Sequence, residues 1–168
     1  MITAVDIETT VFMGDPSPYS PNNKIVSVGW KCEEASTEYV CLNHNGKSTT
    51  PNGKESVQSM LDKTTLLVGH NIKFDLSWLL ECSFTYTGEV YDTMIYEYLD
   101  AGGMPVRLNL SACCKRHGIG TKLDAAKSYF NDGIGFEDMP WSVVEEYGRN
   151  DVEITWELYH KQQEVMNA

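Results

Sequence analysis

The chain has 168 residues, of which 42% are hydrophobic and 22% are charged, and its formal net charge is −11. This length and composition are typical of one globular domain with its own core, and they exclude a disordered chain. No apolar run is long enough to span a bilayer, and the N-terminus lacks the basic and apolar regions of a signal peptide. We therefore expect a single domain over residues 1–168, located in the cytoplasm and not associated with a membrane.

The first third of the chain predicts three strands. Residues 2–8 are rich in β-branched side chains, which suit a sheet. The segment 13–23 holds three prolines and several turn formers, so we expect it to form a loop. Alternating patterns at 24–31 and 37–42 predict two further strands, which would form a meander with the first.

Helices and short strands then alternate. Val57, Met60 and Leu61 follow helical spacing, whereas the apolar run at 66–69 is too short for a helix and is predicted to be a buried strand. In chain order, the pattern predicts a helix over 55–63, a strand over 66–69, a helix over 74–80, a strand over 89–91, and a helix that begins at Asp92 or Thr93 and ends at Leu99.

The last third is predicted to be largely helical. Asn109 is placed to cap a helix that ends near His117, and Pro140 is placed to start a helical region that runs to the C-terminus with a break near Gly148. The stretch 118–139 is mixed and glycine-rich, and it predicts no element. Strands first, then alternating helices and strands, then helices describe an α/β layered domain with a mixed sheet.

Positive charge is concentrated in one segment of this acidic chain. Residues 107–127 have a local balance of +4. One interpretation is a track for a phosphate backbone, and the other is that some of these side chains simply favour the C-terminal end of a helix. Both interpretations stay open at this point. The basic residues are Arg107, Lys115, Arg116, Lys122 and Lys127.

Two acidic residues lie at the end of the first predicted strand. Alternation along the strand puts Asp6 and Glu8 on one face, about 6 to 7 Å apart, so that both carboxylates could share one cation. The alternative is a pair of solvated charges on an exposed face. Apolar Val5 and Ile7 alternate with the two acids, and Thr9 and Thr10 follow them. This pattern favours a strand that ends at the edge of a metal site.

Two further pairs are spaced for helices. Asn71 directly follows the run 66–69, which places Asp75 on the first turn of a helix that begins at the carboxyl end of a strand, a usual location for α/β sites. The alternative is that one of the two is only a helix cap. Tyr147 and Asp151 share a helical face, where the phenol could orient a water beside the carboxylate, although this pattern alone is weak.

Four gathered carboxylates are costly unless cations neutralise them, so Asp6, Glu8, Asp75 and Asp151 together predict two divalent metals and chemistry at phosphoryl oxygens. Other polar and aromatic residues receive more ordinary interpretations. We expect His44 to be exposed, His70 to pack beside the site, Asp92 and His117 to act at helix ends, the four tryptophans to be core residues, and Phe12 and Tyr19 to be candidates for base stacking.

The ordered set of motifs resembles the DEDD superfamily of 3′–5′ exonucleases in its tyrosine-bearing branch. The matching segments are AVDIETT at 4–10, GHNIKFD at 69–75 and YGRNDVEITWELY at 147–159. Their order and spacing are similar to those of the proofreading domains of family A DNA polymerases, especially phage ones. The segments YDTMIYEYL at 91–99 and LNLSACCKRHGI at 108–119 also resemble that family, so the resemblance covers essentially the whole chain.

The resemblance implies an RNase H-like, mixed five-stranded sheet flanked by helices. It implies that Asp6, Glu8 and Asp151 bind one Mg²⁺ or Mn²⁺ ion, that Asp6 and Asp75 serve a second, and that Tyr147 positions the attacking water. Substrate contacts are then expected from Thr9, Thr10, Asn71, Lys115, Arg116 and Lys122. Family members usually carry a glycine where this chain has Val11.

The expected function is metal-dependent hydrolysis of single-stranded or frayed DNA 3′ ends to nucleoside 5′-monophosphates, with proofreading for a separate DNA polymerase as one setting. An RNA 3′–5′ exonuclease on the same scaffold is the nearest alternative, because sensing of the 2′-hydroxyl leaves no trace in the sequence. A non-catalytic module that binds DNA ends or a polymerase is the other alternative, and such a module would not require all four acidic residues together with the tyrosine.

Overall fold

A mixed five-stranded sheet forms the centre of the protein, shown here by a computed structural model that describes residues 1–121 and 123–168. The elements are β1 (Ile2–Thr9), β2 (Ile25–Cys32), β3 (Glu38–Cys41), α1 (Gly53–Lys63), β4 (Leu66–Gly69), α2 (Ile72–Glu81), β5 (Glu89–Asp92), α3 (Thr93–Asp100), α4 (Leu110–His117), α5 (Lys127–Asn131) and α6 (Trp141–Met166).

The strand order is β3-β2-β1-β4-β5. β1, β2 and β3 pair antiparallel, as expected for a meander, whereas β4 pairs parallel with β1, and β5 pairs parallel with β4. The parallel pairs require crossover connections, which α1 and α2 supply. The predicted RNase H-like mixed sheet flanked by helices is therefore confirmed, and all five strands lie within two residues of their predicted bounds.

Helices cover both faces of the sheet. On one face, Val5 and Ile7 of β1 belong to a core with Val57 of α1 and Trp78 of α2. On the other face, Ala4 packs with Tyr159 of the long helix α6. Strand alternation places Asp6 and Glu8 on the same face as Ala4, so that both point toward α6.

Helix α6 is continuous from Trp141 to Met166, so the predicted break near Gly148 is wrong. Gly148 is buried in the middle of the helix because the ring of Tyr39 lies against it. A Cβ at Gly148 would meet the Tyr39 ring and hydroxyl, and a Cβ at Gly29 of β2 would lie 2.7 Å from Cδ2 of the same ring. The two glycines thus allow one tyrosine to lie between the sheet and α6.

We expect Gly148→Ala to lower the free energy of unfolding, although alanine is normally the better helix residue by about 0.5–1 kcal/mol. Overpacking against Tyr39 should cost about 1–3 kcal/mol and outweigh that gain. Urea denaturation measures the difference. In a Tyr39→Ala background the same substitution should instead stabilise the protein, and a stabilising Gly148→Ala in the wild-type background would contradict the packing argument.

Two other sequence expectations need correction. The glycine-rich stretch 118–139 contains the short helix α5, which no periodic pattern announced. His44 is partly buried and not exposed, because its Nε2 lies 2.7 Å from the Met139 carbonyl oxygen and its ring packs edge-on against Trp141. In the part of the chain that is described, no helix combines the length and apolarity needed to cross a bilayer.

Helix α3 has an unusual distribution of polar residues. Its buried side chains are Thr93 and Glu97, whereas Ile95, Tyr98 and Leu99 are more than half exposed. The polar side faces α4 and α6, where Glu97 binds Arg116, His117 and Gln162. This helix is therefore fixed by a buried polar network and not by an apolar stripe.

Candidate active site

Three carboxylates meet where β1 passes under α6. Ligand oxygens of Asp6, Glu8 and Asp151 all lie within 4.8 Å of one another. Glu8 and Asp151 are only 7% and 3% exposed. Three acidic groups this close, two of them screened from water, have an arrangement that suits a divalent cation with oxygen ligands. The geometry brings together the first and third acidic patterns of the sequence.

The local sequence explains how these side chains converge. Pairing of β1 with β2 shifts register between Glu8 and Thr9, so the regular strand ends just after the acidic pair. Such irregularities commonly occur beside active sites. Asp151 follows Gly148 by about one helical turn, and Gly148 is where the ring of Tyr39 from β3 lies against α6.

Asp75 adds a fourth carboxylate from the opposite side of β1. It lies on the first turn of α2, is 4% exposed, and its Oδ1 accepts a hydrogen bond of 3.1 Å from the backbone N–H of Ile7. Burial raises the pKa of Asp75 well above its usual range, and the negative charge of nearby Asp6 raises it further. Asp75 therefore is not a helix cap, and a bound cation would favour its ionised form, which burial and Asp6 disfavour.

Asn71 stands at the N-cap position of α2 in a left-handed conformation, with φ of 63°. Its side chain is exposed and makes no capping hydrogen bond, so the interpretation of Asn71 as a helix cap is wrong. Asn71 is therefore an exposed residue at the start of the helix that carries Asp75, with its side chain not used for capping.

Tyr147 lies one turn before Asp151 on α6, as the spacing predicts. Its ring is partly buried against Phe136, with ring centroids 5.5 Å apart, and Phe136 in turn packs against Phe130. The tyrosine is thus held in orientation by an aromatic cluster from the segment around α5.

A cavity of about 700 Å³ opens beside the carboxylates. Glu8 and Thr9 form one wall, and the other walls are aromatic or glycine-rich, with Phe74, Phe130 and Phe136 prominent. The sequence interpretation missed these three phenylalanines and named Phe12 and Tyr19, which are 44% and 74% exposed and do not line this cavity. Phe130 and Phe136 could have been proposed from the sequence, because they lie in the glycine-rich stretch just before the last motif.

Tyr39 is another residue that sequence reasoning missed. Its hydroxyl lies 2.7 Å from Oγ of Ser27 on β2 and donates to the Val144 carbonyl of α6 at 3.2 Å. Burial raises the pKa of Tyr39 well above its usual value, and the charge of Glu8 adds to this. The phenol therefore stays protonated and holds α6 against the sheet beneath the acidic cluster.

Two of the predicted substrate contacts, Thr10 and Arg116, make hydrogen bonds within the protein. The hydroxyl of Thr10 donates to Asn23 and accepts from the Lys24 amide, so it closes the loop after β1. The Arg116 guanidinium binds Glu97 through Nη2 at 2.8 Å and Nε at 3.1 Å. Lys122 lies outside the described residues.

The basic residues of the segment 107–127 therefore differ in their surroundings. Helix α4 ends at His117 and is closed by Gly118 with φ of 63°, as predicted, but Arg116 and His117 both turn to Glu97 of α3. Lys115 remains exposed on the same helix. Donors of Arg116 are engaged within the protein, so a contact of Arg116 with phosphate stays a prediction, as it does for Lys115.

Known folds and families agree with this geometry. Among solved structures, the apo form of a nuclease has a TM-score of 0.70 at 20% identity, with 96% of this chain and 70% of that chain covered. The family B DNA polymerase of Pyrobaculum calidifontis has a TM-score of 0.66 at 18% identity, with 95% and 24% covered. Brucella melitensis NrnC bound to pGG has a TM-score of 0.54 at 17% identity, with 96% and 81% covered.

At such identities these structures show a common fold, and the chain spans about a quarter of the polymerase's length. No curated protein sequence matches the chain. The sequence model of the 3′–5′ exonuclease family matches residues 3–167, which is nearly the full length. The match includes both acidic strand residues, the second motif and the helix that carries Asp151, and the chain therefore belongs to the 3′–5′ exonuclease family.

Proposed function

We propose that this exonuclease is a two-metal enzyme of the tyrosine-bearing DEDD branch that removes nucleoside 5′-monophosphates from single-stranded or frayed DNA 3′ ends. The observation that carries the proposal is the convergence of Asp6, Glu8 and Asp151, with Asp75 held against the same strand by the Ile7 amide. A set of only carboxylate oxygens suits Mg²⁺ or Mn²⁺. Dependence on divalent metal is a property of the family.

In the proposed mechanism, Asp6, Glu8 and Asp151 would hold one ion, and Asp6 and Asp75 would hold the other. Bound divalent ions lower the pKa of water and stabilise the charge that develops on the leaving 3′-oxygen. Tyr147, oriented by Phe136, positions the attacking water. The water oxygen bonds to phosphorus, the bond from phosphorus to the 3′-oxygen breaks, and a nucleoside 5′-monophosphate leaves a strand with a new 3′-hydroxyl.

The cavity beside Glu8 and Thr9 supports the end-directed activity. Its aromatic and glycine-rich walls offer a nucleobase stacking surfaces next to the carboxylates. We propose that Thr9 and Asn71 contact the terminal nucleotide and that Lys115 meets the phosphate backbone behind it. Lys122 stays in this proposal on sequence grounds alone.

Residues 1–168 are proposed to act as one intracellular domain, alone or as the editing partner of a separate DNA polymerase. The fold shared with the Pyrobaculum calidifontis polymerase supports a DNA substrate. A specific observation favours RNA as the second candidate substrate. The structure of NrnC, which matches 96% of this chain, is bound to pGG. The two candidates differ in substrate and not in the reaction.

One experiment tests direction, dependence on an end, and substrate together. The same sequence is supplied as 5′-labelled and 3′-labelled DNA and RNA strands and as covalently closed single-stranded circles, with Mg²⁺, with Mn²⁺ and with chelator. We expect linear DNA to shorten from its 3′ end to monophosphates, circles to survive, and chelation to stop hydrolysis. Cleavage of circles at the rate of linear strands would overturn the exonuclease mechanism, and faster hydrolysis of RNA would assign the substrate to the alternative.

Tyr147→Phe is expected to lower kcat by about 10²-fold, the loss typical of one positioned donor, without changing metal binding. The substitution keeps the ring contact with Phe136 and removes only the hydroxyl. Single-turnover rates with labelled DNA measure the effect. Tyr159→Phe is the matched control, because Tyr159 lies on the same helix but packs in the core against Tyr91. If both variants were as active as wild type, Tyr147 would be only a packing residue.

A further inference from the structure

Asp92 and Thr93 lie at the junction of β5 and α3, outside the carboxylate cluster. Asp92 is the N-cap of α3, and its Oδ1 accepts hydrogen bonds from the amides of Met94 at 2.9 Å and Ile95 at 3.4 Å. This agrees with the capping role expected from the sequence. Capping of α3 involves only this one carboxylate oxygen and the residues immediately after it.

The same carboxylate also binds the start of a different helix. Oδ1 of Asp92 accepts from the Asn71 amide at 2.9 Å, and Oδ2 accepts from the Ile72 amide at 3.1 Å. These are the first amides of α2, and its own N-cap residue, Asn71, does not cap the helix with its side chain. Asp92 therefore supplies the cap of two helices, one of them 20 residues earlier in the chain.

Thr93 holds the two residues that precede Asn71. Its side chain is fully buried, with Oγ1 lying 2.8 Å from Nδ1 of His70 and 3.4 Å from the carbonyl oxygen of Gly69. Nε2 of His70 lies 2.7 Å from the Leu108 carbonyl oxygen, which can only accept. Nε2 of His70 thus donates to Leu108, and the single proton of the Thr93 hydroxyl can be donated either to Nδ1 of His70 or to the Gly69 carbonyl oxygen.

Asp92 and Thr93, which are adjacent in the chain, consequently contact all four residues of the segment 69–72. This segment joins β4 to α2 and contains Asn71 in a left-handed conformation, which asparagine adopts more readily than most residues other than glycine. Asp75 lies one turn further along α2, where its carboxylate reaches the Ile7 amide. The direction of that first turn determines how Asp75 faces Asp6.

We propose that Asp92 and Thr93 are a positioning pair that fixes the 69–72 segment, and through it Asn71 and Asp75, for hydrolysis. The inference rests on the proposed function, in which Asp75 serves the second metal. Neither member of the pair touches the reacting atoms. Each acts through hydrogen bonds to the segment on which the reacting geometry depends.

Asp92→Ser separates the two roles of Asp92. Serine is a good N-cap and can still cap α3, but its side chain is too short to reach the amides of Asn71 and Ile72. We expect kcat for DNA to fall by about 10- to 100-fold, as for outer-shell partners of metal ligands, with little change in KM for the strand. Thr93→Val, which removes only the hydroxyl, is expected to act in the same direction.

The control is Gln58→Ala, because Gln58 clamps another loop in a similar way. Its side-chain amide donates to the Thr85 carbonyl at 3.0 Å and accepts from the Thr85 amide at 3.0 Å, at the opposite end of β5 from Asp92. We expect this variant to lose thermal stability and keep the wild-type kcat. A kcat loss equal to that of Asp92→Ser at the same folded fraction would reduce the pair to a structural role and overturn the proposal.

Amide hydrogen exchange of the metal-free protein provides a readout that does not depend on activity. In Asp92→Ser the amides of Asn71 and Ile72 should lose protection, whereas Met94 should keep it. Unchanged protection at Asn71 and Ile72 would overturn the positioning role even if wild type is an active nuclease. Conversely, an inactive wild type with the expected exchange pattern would refute the proposed function and leave the clamp itself supported.

Discussion

Asp6→Asn is expected to abolish hydrolysis and to make the metal-free protein more stable. The substitution removes the one carboxylate that would serve both ions, so the loss of kcat should exceed the 10²-fold or so typical of a single positioned group. At the same time it removes a negative charge next to Asp75, Glu8 and Asp151. Relief of that repulsion should raise the free energy of unfolding without metal by on the order of 1 kcal/mol.

The pH dependence of metal-free stability should show the same repulsion. The pKa of Asp75 is raised in the folded state, first by burial and then by Asp6. A raised pKa gives stability that is fully present below the unfolded value of about 3.9 and is lost as pH rises through the folded value. Asp75 should therefore destabilise the metal-free protein increasingly above about pH 4, and Asp6→Asn should make this loss smaller.

Thermal unfolding with chelator and with Mn²⁺, at several pH values, measures both effects. Mn²⁺ should stabilise wild type strongly and Asp6→Asn much less, because metal that binds only the folded state adds its binding free energy. Glu38→Gln on the exposed edge of β3 is the matched acidic control and should change neither activity nor the response to metal. Near wild-type turnover of purified Asp6→Asn would refute the metal assignment.

Glu97→Ala is expected to cause the largest loss of stability, about 3 kcal/mol, while leaving the chemistry intact. Glu97 is 4% exposed and accepts from Arg116 at 2.8 Å, from His117 at 2.6 Å and from Gln162 at 2.8 Å. Its removal leaves these donors without their acceptor in the space between α3, α4 and α6. Partial exposure of Arg116 moderates the cost.

The decrease in the free energy of unfolding at acidic pH should depend on the same network around Glu97. Burial alone would raise the pKa of Glu97, but hydrogen bonds from Gln162, Arg116 and His117 more than offset it, and the pKa lies below its ordinary value. A lowered pKa gives stability that is present above the unfolded value of about 4.3 and is lost as pH falls through the folded value. Glu97→Ala should therefore remove part of the acid sensitivity of wild type.

Urea denaturation at neutral and acidic pH tests this prediction, and kcat measured below the unfolding transition tests the absence of a catalytic role. Glu164→Gln is the control, since the exposed Lys161–Glu164 pair contributes little. A Glu97→Ala protein as stable as Glu164→Gln would show that the buried network is energetically neutral.

The position of the acidic residues could be predicted from the sequence because it depends on local periodicity. Period-two alternation put Asp6 and Glu8 on one face, and the carboxyl end of a short apolar strand placed Asp75 near them. Asp151 could be placed only by family resemblance, since its distance from the strand depends on how α6 packs. Its approach is set by the contact of Gly148 with Tyr39, a tertiary feature with no local pattern.

What the sequence could not predict depends on long-range contacts. Helix α5 has only five residues, too few to be stable alone, and its Tyr129 packs against a core cluster that includes Val144 of α6. Phe130 and Phe136 therefore reach the cavity through folding of a segment without periodicity. The ion pair between Arg116 and Glu97 was also not predictable, because Glu97 faces inward from a helix whose apolar residues face outward.

The tyrosine between two glycines has an evolutionary consequence. The ring of Tyr39 from β3 fills the space that a Cβ at Gly29 or Gly148 would need, so the three positions should vary together among homologous chains. Where position 39 holds a small side chain, selection for glycine at 29 and 148 should relax and larger residues should appear at both. Where the aromatic ring is kept, both glycines should be kept with it, which would make these three sites a co-varying triplet in a family alignment.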